Sequence, residues 1–212
     1  MTSNSKNSKI LVWDAPVRVF HWLMVFSFAG AYLTAESERW RLIHVTLGYT
    51  MGGLVAFRIV WGLVGSRYAR FSNFVRGYSA VKKYIRTLIA GNPEHHVGHN
   101  PAGAVAIVLL LLSSVLIVST GWGVYNDLGG NMIEELHELT ANFMLLVVIV
   151  HIAGVIVSSR LHRENLIRAM VTGEKIAVAN HGVTATWRLL AVLIVAVTVG
   201  FWYFQWLSVP SI

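Results

Sequence analysis

Residues Glu134–Ser159 read EELHELTANFMLLVVIVHIAGVIVSS, an apolar run of helix length with His137 at its mouth and His151 deep inside it. Fourteen residues separate the two. At about 1.5 Å rise and 100° per residue, both imidazoles fall on nearly one face, roughly 40° apart and about 21 Å apart along the axis. Two ligands on opposite sides of one metal ion lie only about 4 Å apart, from metal–nitrogen bonds of roughly 2 Å. One helix therefore offers two ligands to two separate centres at two depths. The rest of the chain has to supply a partner for each.

Working outward, composition sets the class. The 212 residues are 55% hydrophobic and 13% charged, with a mean hydropathy of +0.59, far more apolar than a soluble domain. There is no cysteine, which excludes disulfides, thiolate-held iron–sulfur clusters and haem attached through C-x-x-C-H. The net charge of +7 does not indicate a nucleic-acid partner, because the bases cluster between apolar runs, the pattern of membrane topology. The start, MTSNSKNSK, is too short and polar for a signal peptide, so residues 1–10 are expected to be a disordered tail. Residues 11–212 are expected to form a single transmembrane domain.

Five segments have the length and apolarity to cross a bilayer, at about 16–35, 43–64, 101–122, 136–158 and 186–207. Asp14 is a candidate N-cap for the first, with Pro16 tolerated in its first turn. The last ends in Phe201, Trp202, Tyr203, Phe204 and Trp206, suited to an interfacial belt. With the N-terminus inside, the inner side collects Lys6, Lys9, Arg18, Arg67, Arg70, Arg76, Lys82, Lys83, Arg86, Arg160, Arg163, Arg168, Lys175 and Arg188. The outer loops hold Arg39 and Arg41 with the acids Glu36, Glu38, Asp127, Glu134, Glu135 and Glu138. The positive-inside rule then predicts an N-terminus on the inner side and a C-terminus on the outer side. In the inner loop 65–100, Val81, Tyr84, Ile85, Leu88 and Ile89 recur at helical spacing opposite Lys82, Lys83 and Arg86. This predicts a short interfacial amphipathic helix ended by Gly91-Asn92-Pro93.

Topology sorts four histidines by depth. His44 and His137 open spans two and four at the outer face; His21 and His151 lie near the inner face. Each pair joins different helices, as bis-imidazole ligation inside a bundle requires. The chemical reading is two b-type haems (heme b) stacked across the membrane, about 20 Å apart by the helix rise, since imidazole is a usual axial ligand of haem iron. The small residues Gly48, Gly52, Gly53, Ala141, Ala153 and Gly154 let a porphyrin approach the backbone, although glycine also serves close helix packing. A transition-metal transporter or a proton relay uses the same residue types, so spacing leaves these readings open. The carboxylates within spans and the broken helices expected of transporters are missing.

Longer motifs add a resemblance. Trp13-Asp14-Ala15-Pro16-Val17-Arg18-Val19-Phe20-His21-Trp22, Arg41-Leu42-Ile43-His44 with Gly48 following, and Arg58-Ile59-Val60-Trp61-Gly62-Leu63-Val64-Gly65-Ser66-Arg67-Tyr68-Ala69-Arg70 resemble the b-type cytochrome subunits of nickel–iron hydrogenases and the related bacterial cytochrome b561 proteins. Gly98-His99-Asn100-Pro101, Thr120-Gly121 and the His137–His151 interval extend the likeness over roughly residues 11–175. The resemblance implies an all-α membrane four-helix bundle holding haem b, here with a fifth C-terminal helix. It implies electron relay between membrane quinone and an outer redox partner, with His21, His44, His137 and His151 as iron ligands. By the same resemblance Asn100 and Gly103 fall where more distant relatives line a quinone pocket. Arg18, Arg41, Arg58 and Arg67 are candidate propionate partners, since carboxylates favour bidentate arginine. His99 is placed to bond a quinone oxygen or a propionate.

The outer loop over Glu36–Leu42 is shorter than hydrogenase subunits tend to have, and the fifth helix is added. Both favour stand-alone members similar to this chain around Leu161–Met170, for which a periplasmic c-type cytochrome is the implied partner. Hydrogenase subunit, superoxide or other small-oxidant quinone oxidoreductase, and metal-ion transporter are the alternatives. No glycine-rich strand–helix fingerprint for a flavin or nicotinamide is present.

Overall fold

The computed structural model describes residues 7–91, 94–178 and 181–208. Four long helices run antiparallel: α1 (Ala15–Thr34), α2 (Arg41–Val64), α5 (Pro101–Tyr125) and α6 (Gly130–Leu161). A fifth, α8 (Arg188–Leu207), packs on α1 and α2 from outside. All five are long and apolar enough to cross a membrane. Their outward faces carry exposed side chains such as Leu33, Leu112, Ile149, Val192 and Phe204, as a lipid-facing surface requires. At 32 residues, α6 is about 48 Å long, more than a hydrocarbon core of about 30 Å needs, so it projects beyond one.

Local chemistry sets the helix ends. Asp14 is fully buried, and its Oδ1 accepts from Val17 N at 2.9 Å to cap α1. Asn100 caps α5 by accepting from Gly103 N at 2.7 Å, with Pro101 in the first turn. α1 and α2 are joined by a six-residue connection containing the 3-10 turn Glu38–Trp40. Gly129 and Gly130, at φ 75° and 54°, turn the chain from α5 into α6.

The bundle has a basic end, carrying the N-terminus of α1, and an acidic end, carrying the α1–α2 and α5–α6 turns. A polar cap folds over the basic end. It contains the short helix α3 (Phe71–Phe74), the amphipathic helix α4 (Gly77–Ile89), α7 (Leu166–Thr172) and a two-stranded antiparallel sheet. In that sheet β1 (Asn7–Leu11) pairs with β2 (Glu174–Val178), Asn7 opposite Val178 and Leu11 opposite Glu174. The expected disordered tail is therefore corrected over residues 7–10; residues 1–6 lie outside the described set. The physical reason is long-range: Ile10, Val12 and Trp13 bury against Tyr68, Ala169 and Ala177, and Gly173 O accepts from both Val12 N and Trp13 N. α4 sits where its periodicity predicts, and Tyr84, 2% exposed, anchors its apolar face. Asn92 and Pro93, expected to end it, lie outside the described residues.

Candidate functional site: two histidine pairs at opposite ends of the bundle

His44 projects from the first turn of α2 and His137 from the second turn of α6. Their ring centroids are 6.2 Å apart with the planes at 75°. His44 Nδ1 lies 2.8 Å from Ala31 O on α1. His137 Nδ1 lies 3.0 Å from Ile117 O on α5, with Thr120 Oγ1 at 3.1 Å. A carbonyl can only accept, so each Nδ1 carries the proton and each Nε2 keeps its lone pair free. This is the arrangement that orients a metal-binding imidazole. Two metal–nitrogen bonds of about 2 Å, plus roughly 1 Å from each nitrogen to its ring centre, sum to about 6 Å. The spacing of the pair would therefore let both imidazoles hold one iron.

Neighbouring glycines shape this end. A Cβ on Gly121 would lie 2.9 Å from His137 Cε1, so the missing side chain is what lets the imidazole lie against α5. Gly48, one turn beyond His44 on the same face, has open space where a side chain would be. Gly154, one turn beyond His151, is likewise open. Gly52 differs: its Cβ would meet Val118 at 3.0 Å, so it serves helix packing.

Midway between the two levels the bundle is closed. Met144 lies seven residues from both His137 and His151, two turns from each. With Phe28, Met51 and Ile117 it forms a buried cluster, and Ser114 Oγ donates to its Sδ at 3.7 Å. The two histidine levels are thus separated by packed side chains.

At the basic end, His21 on α1 and His151 on α6 are half-buried, and His21 Nδ1 is a buried atom without a partner among the described residues. Beside them stands His99. Its ring packs 4.4 Å from Trp13 and 4.7 Å from Phe74, and its Nδ1 is also buried and unpartnered. The ring keeps some accessible surface, yet dense protein surrounds it. That burial, with the charges of Arg58 and Lys175 and then the imidazoles of His151 and His21, pushes its pKa down to about 3. His99 is therefore neutral at pH 7 and within electrostatic reach of both basic-end histidines.

Arg58 is 3% exposed. One terminal nitrogen donates to Ala69 O at 2.9 Å, the guanidinium lies 4.9 Å from the Phe71 ring centre, and NH1 has no partner among the described residues. Asp14, its nearest buried counter-charge, spends Oδ2 on Trp61 Nε1 at 3.0 Å. Arg58 thus holds unused donor capacity for an acidic or carbonyl oxygen, as expected of a propionate or quinone partner.

The other candidates are placed more plainly. Arg18 donates to Val171 O at 2.6 Å, tying α1 to α7, and leaves Nε buried and unpartnered. Arg41 sits exposed at the acidic end, 3.8 Å from Glu38, and Arg67 lies over Tyr68. Asn100 and Gly103 spend the amide oxygen and the backbone N–H on each other in the α5 cap. Sequence reasoning missed the carbonyls of Ala31 and Ile117, which carry no residue signature. It also missed the pairing of Glu164 with Lys175 at 3.0 Å, for which an acid inside the basic run Arg160–Arg168 was the available signal.

Comparison with known proteins agrees with this architecture. Residues 12–173 match the family model described as prokaryotic cytochrome b561. The probable Ni/Fe-hydrogenase B-type cytochrome subunit of Rhizobium leguminosarum bv. viciae is 24% identical over 216 residues, covering 81% of this chain and 90% of that one. The probable Ni/Fe-hydrogenase 1 B-type cytochrome subunit of Escherichia coli K12 is 30% identical over 141 residues, covering 55% of this chain and 60% of its own. The corresponding probable subunit of Cupriavidus necator is 26% identical over 208 residues, 76% of this chain and 85% of that one. No solved structure gives a significant match.

Proposed function

Because this chain belongs to the prokaryotic cytochrome b561 family, and is thereby a multi-pass membrane b-type cytochrome for electron transfer, we propose that it relays electrons between membrane quinone at its basic end and a periplasmic redox protein at its acidic end. Haem b, when bound, supplies one reversible electron per iron. The chain's own residues hold and orient it. His44 and His137 would ligate one haem and His21 and His151 the other, with Nε2 of His44 and His137 freed by their carbonyl-bound Nδ1 atoms. Arg58 and His99 line the basic end, where a propionate or a quinone oxygen would meet their unused donors.

The observation that carries this reading is the His44–His137 pair, whose ring centres lie 6.2 Å apart, a spacing at which both imidazoles could hold one haem iron. The positive-inside rule puts the basic end in the cytoplasm, which gives the C-terminus and the acidic loops a periplasmic position. Asp127, Glu134, Glu135 and Glu138 then favour a lysine-rich partner such as a c-type cytochrome, by electrostatic steering.

The test is a haem count per polypeptide on detergent-purified protein, with a reduced-minus-oxidised spectrum and reduction by quinol. Two low-spin b-haems reducible by quinol are expected. A colourless protein that binds zinc or copper instead would overturn the reading.

A second reading, the cytochrome subunit of a membrane-bound hydrogenase, is favoured by the names of the relatives. Stable purification of the chain alone with both haems would argue against it, as does the six-residue connection between α1 and α2.

A further inference from the structure

Reducing a quinone to quinol takes two electrons and two protons, and oxidising quinol releases the same. The haem reading supplies a route for electrons only. We propose that Glu164 and Lys175 form the proton path between the aqueous face at the basic end and a quinone met beside His99. This rests on the quinone reading above.

A cavity of about 340 Å³ opens where α6 passes into α7, walled by Ser159, Arg160, Arg163, Glu164 and Asn165. Glu164 belongs to that wall, yet its side chain is only 17% exposed. Its two oxygens are used unequally. Oε2 lies 3.0 Å from Lys175 Nζ and 3.8 Å from His95 Nε2. Oε1 is buried and has no partner among the described residues. A carboxylate kept only for an ion pair is expected to satisfy both oxygens, because a bare buried oxygen is destabilising. A carboxylate oxygen with an unused lone pair, on a residue that borders the cavity, is what a proton acceptor needs.

Lys175 continues the path inward. It stands on β2, is 6% exposed and does not line the cavity. Its Nζ donates to His96 O at 3.3 Å. Its charge also reaches His99, whose Nδ1 is free. The geometric order from outside to inside is cavity, Glu164 and the buried Lys175, and the proposed path continues to His99, on which the charge of Lys175 acts. The charged and titratable groups facing Glu164 are Lys175 from β2, His95 from the segment before α5, His162 at the foot of α6, and Arg160 and Arg163 along the wall. The balance closes without a further reactant: bound haem would supply the electron route to or from the redox partner, and protons pass through these side chains to or from water.

The experiment uses the full chain with haem bound, in proteoliposomes, as wild type, E164Q, E164D and the double variant E164Q/K175M. Haem reduction by a short-tailed ubiquinol is followed from pH 5.5 to 8.5, with a pH-sensitive dye reading proton release at the basic face. Dithionite, which delivers electrons without quinol, is the control. The expected result is a loss of at least tenfold in the quinol-driven rate for E164Q and the double variant, with dye signal and haem reduction slowed together. A small weak acid such as formate, or the E164D change, restores the rate, and dithionite reduction is unchanged throughout. A wild-type rate and pH profile in E164Q overturns the path. Should E164Q lose haem, the double variant, which buries no unpaired charge, decides between the same two outcomes. A wild type that quinol cannot reduce removes the quinone reading and the path with it; a reducible wild type with indistinguishable variants removes the path alone.

Discussion

His44 and His137 face each other across the bundle at 6.2 Å between ring centres, each with Nδ1 held by a carbonyl of a third or fourth helix. All four long helices thus act on one pair: α2 and α6 supply the rings, α1 and α5 orient them. Replacing either ring leaves the other without an opposing ligand. His44→Ala and His137→Ala should each lose the acidic-end haem and keep the other, giving about half the wild-type pyridine-haemochrome value. His21→Ala should do the reverse. Loss of both haems from any one variant would contradict two independent sites separated by the Met144 cluster.

Gly121 tests the seating of His137. An added methyl would meet the imidazole at 2.9 Å, so Gly121→Ala must displace the ring or part α5 from α6. Overpacking of this kind costs about 1–3 kcal/mol. The acidic-end haem should dissociate faster on dilution, while Gly200→Ala, on α8 with open space at its Cβ, should leave occupancy unchanged.

Asp14 holds two elements at once, the first turn of α1 and the indole of Trp61 on α2. Asp14→Ala removes an N-cap, worth about 1 kcal/mol, and strands a buried indole N–H, a further 1–3 kcal/mol or so. The thermal midpoint of the purified protein should fall, with Asp14→Asn intermediate because its amide oxygen can still accept.

Arg58 is a buried cation whose charge acts on His99 at the basic end. A positive charge favours the reduced form of a nearby haem iron, so Arg58→Gln should lower one midpoint potential by tens of millivolts, as an order of magnitude, and leave the other in place. An unchanged redox titration removes Arg58 from the account.

His99 makes stability fall in acid. Its folded pKa is about 3 and its ordinary value 6.5, so between those values the unfolded chain binds a proton that the folded chain does not. Stability from this group is complete above pH 6.5 and is lost as pH falls towards 3. By pH 4 the loss is up to about 3 kcal/mol. Burial lowers His96 and His162 in the same direction. A His99→Gln variant should show a flatter decline of its thermal midpoint between pH 6.5 and 4 than wild type.

The sequence by itself determined the five spans, the basic and acidic ends, and the depth of each histidine. These follow from hydropathy, charge and a fixed helical rise, all properties of contiguous residues. It also determined α4, whose pattern is local. Tertiary structure alone decided the partners that lie far apart in the chain. The carbonyls of Ala31 and Ile117 orient the His44 and His137 rings through backbone atoms common to every residue type, so no side-chain pattern announces them. The segment 7–10 reads as a polar tail and becomes a strand because Gly173, Tyr68 and Ala177 come back to meet it. Glu164 and Lys175 are two more charges in a basic stretch until the β2 strand returns beside α6 and places them 3.0 Å apart. Depth along the membrane is a one-dimensional quantity and can be counted from the chain; which groups meet at a given depth depends on how the helices and the cap close in three dimensions.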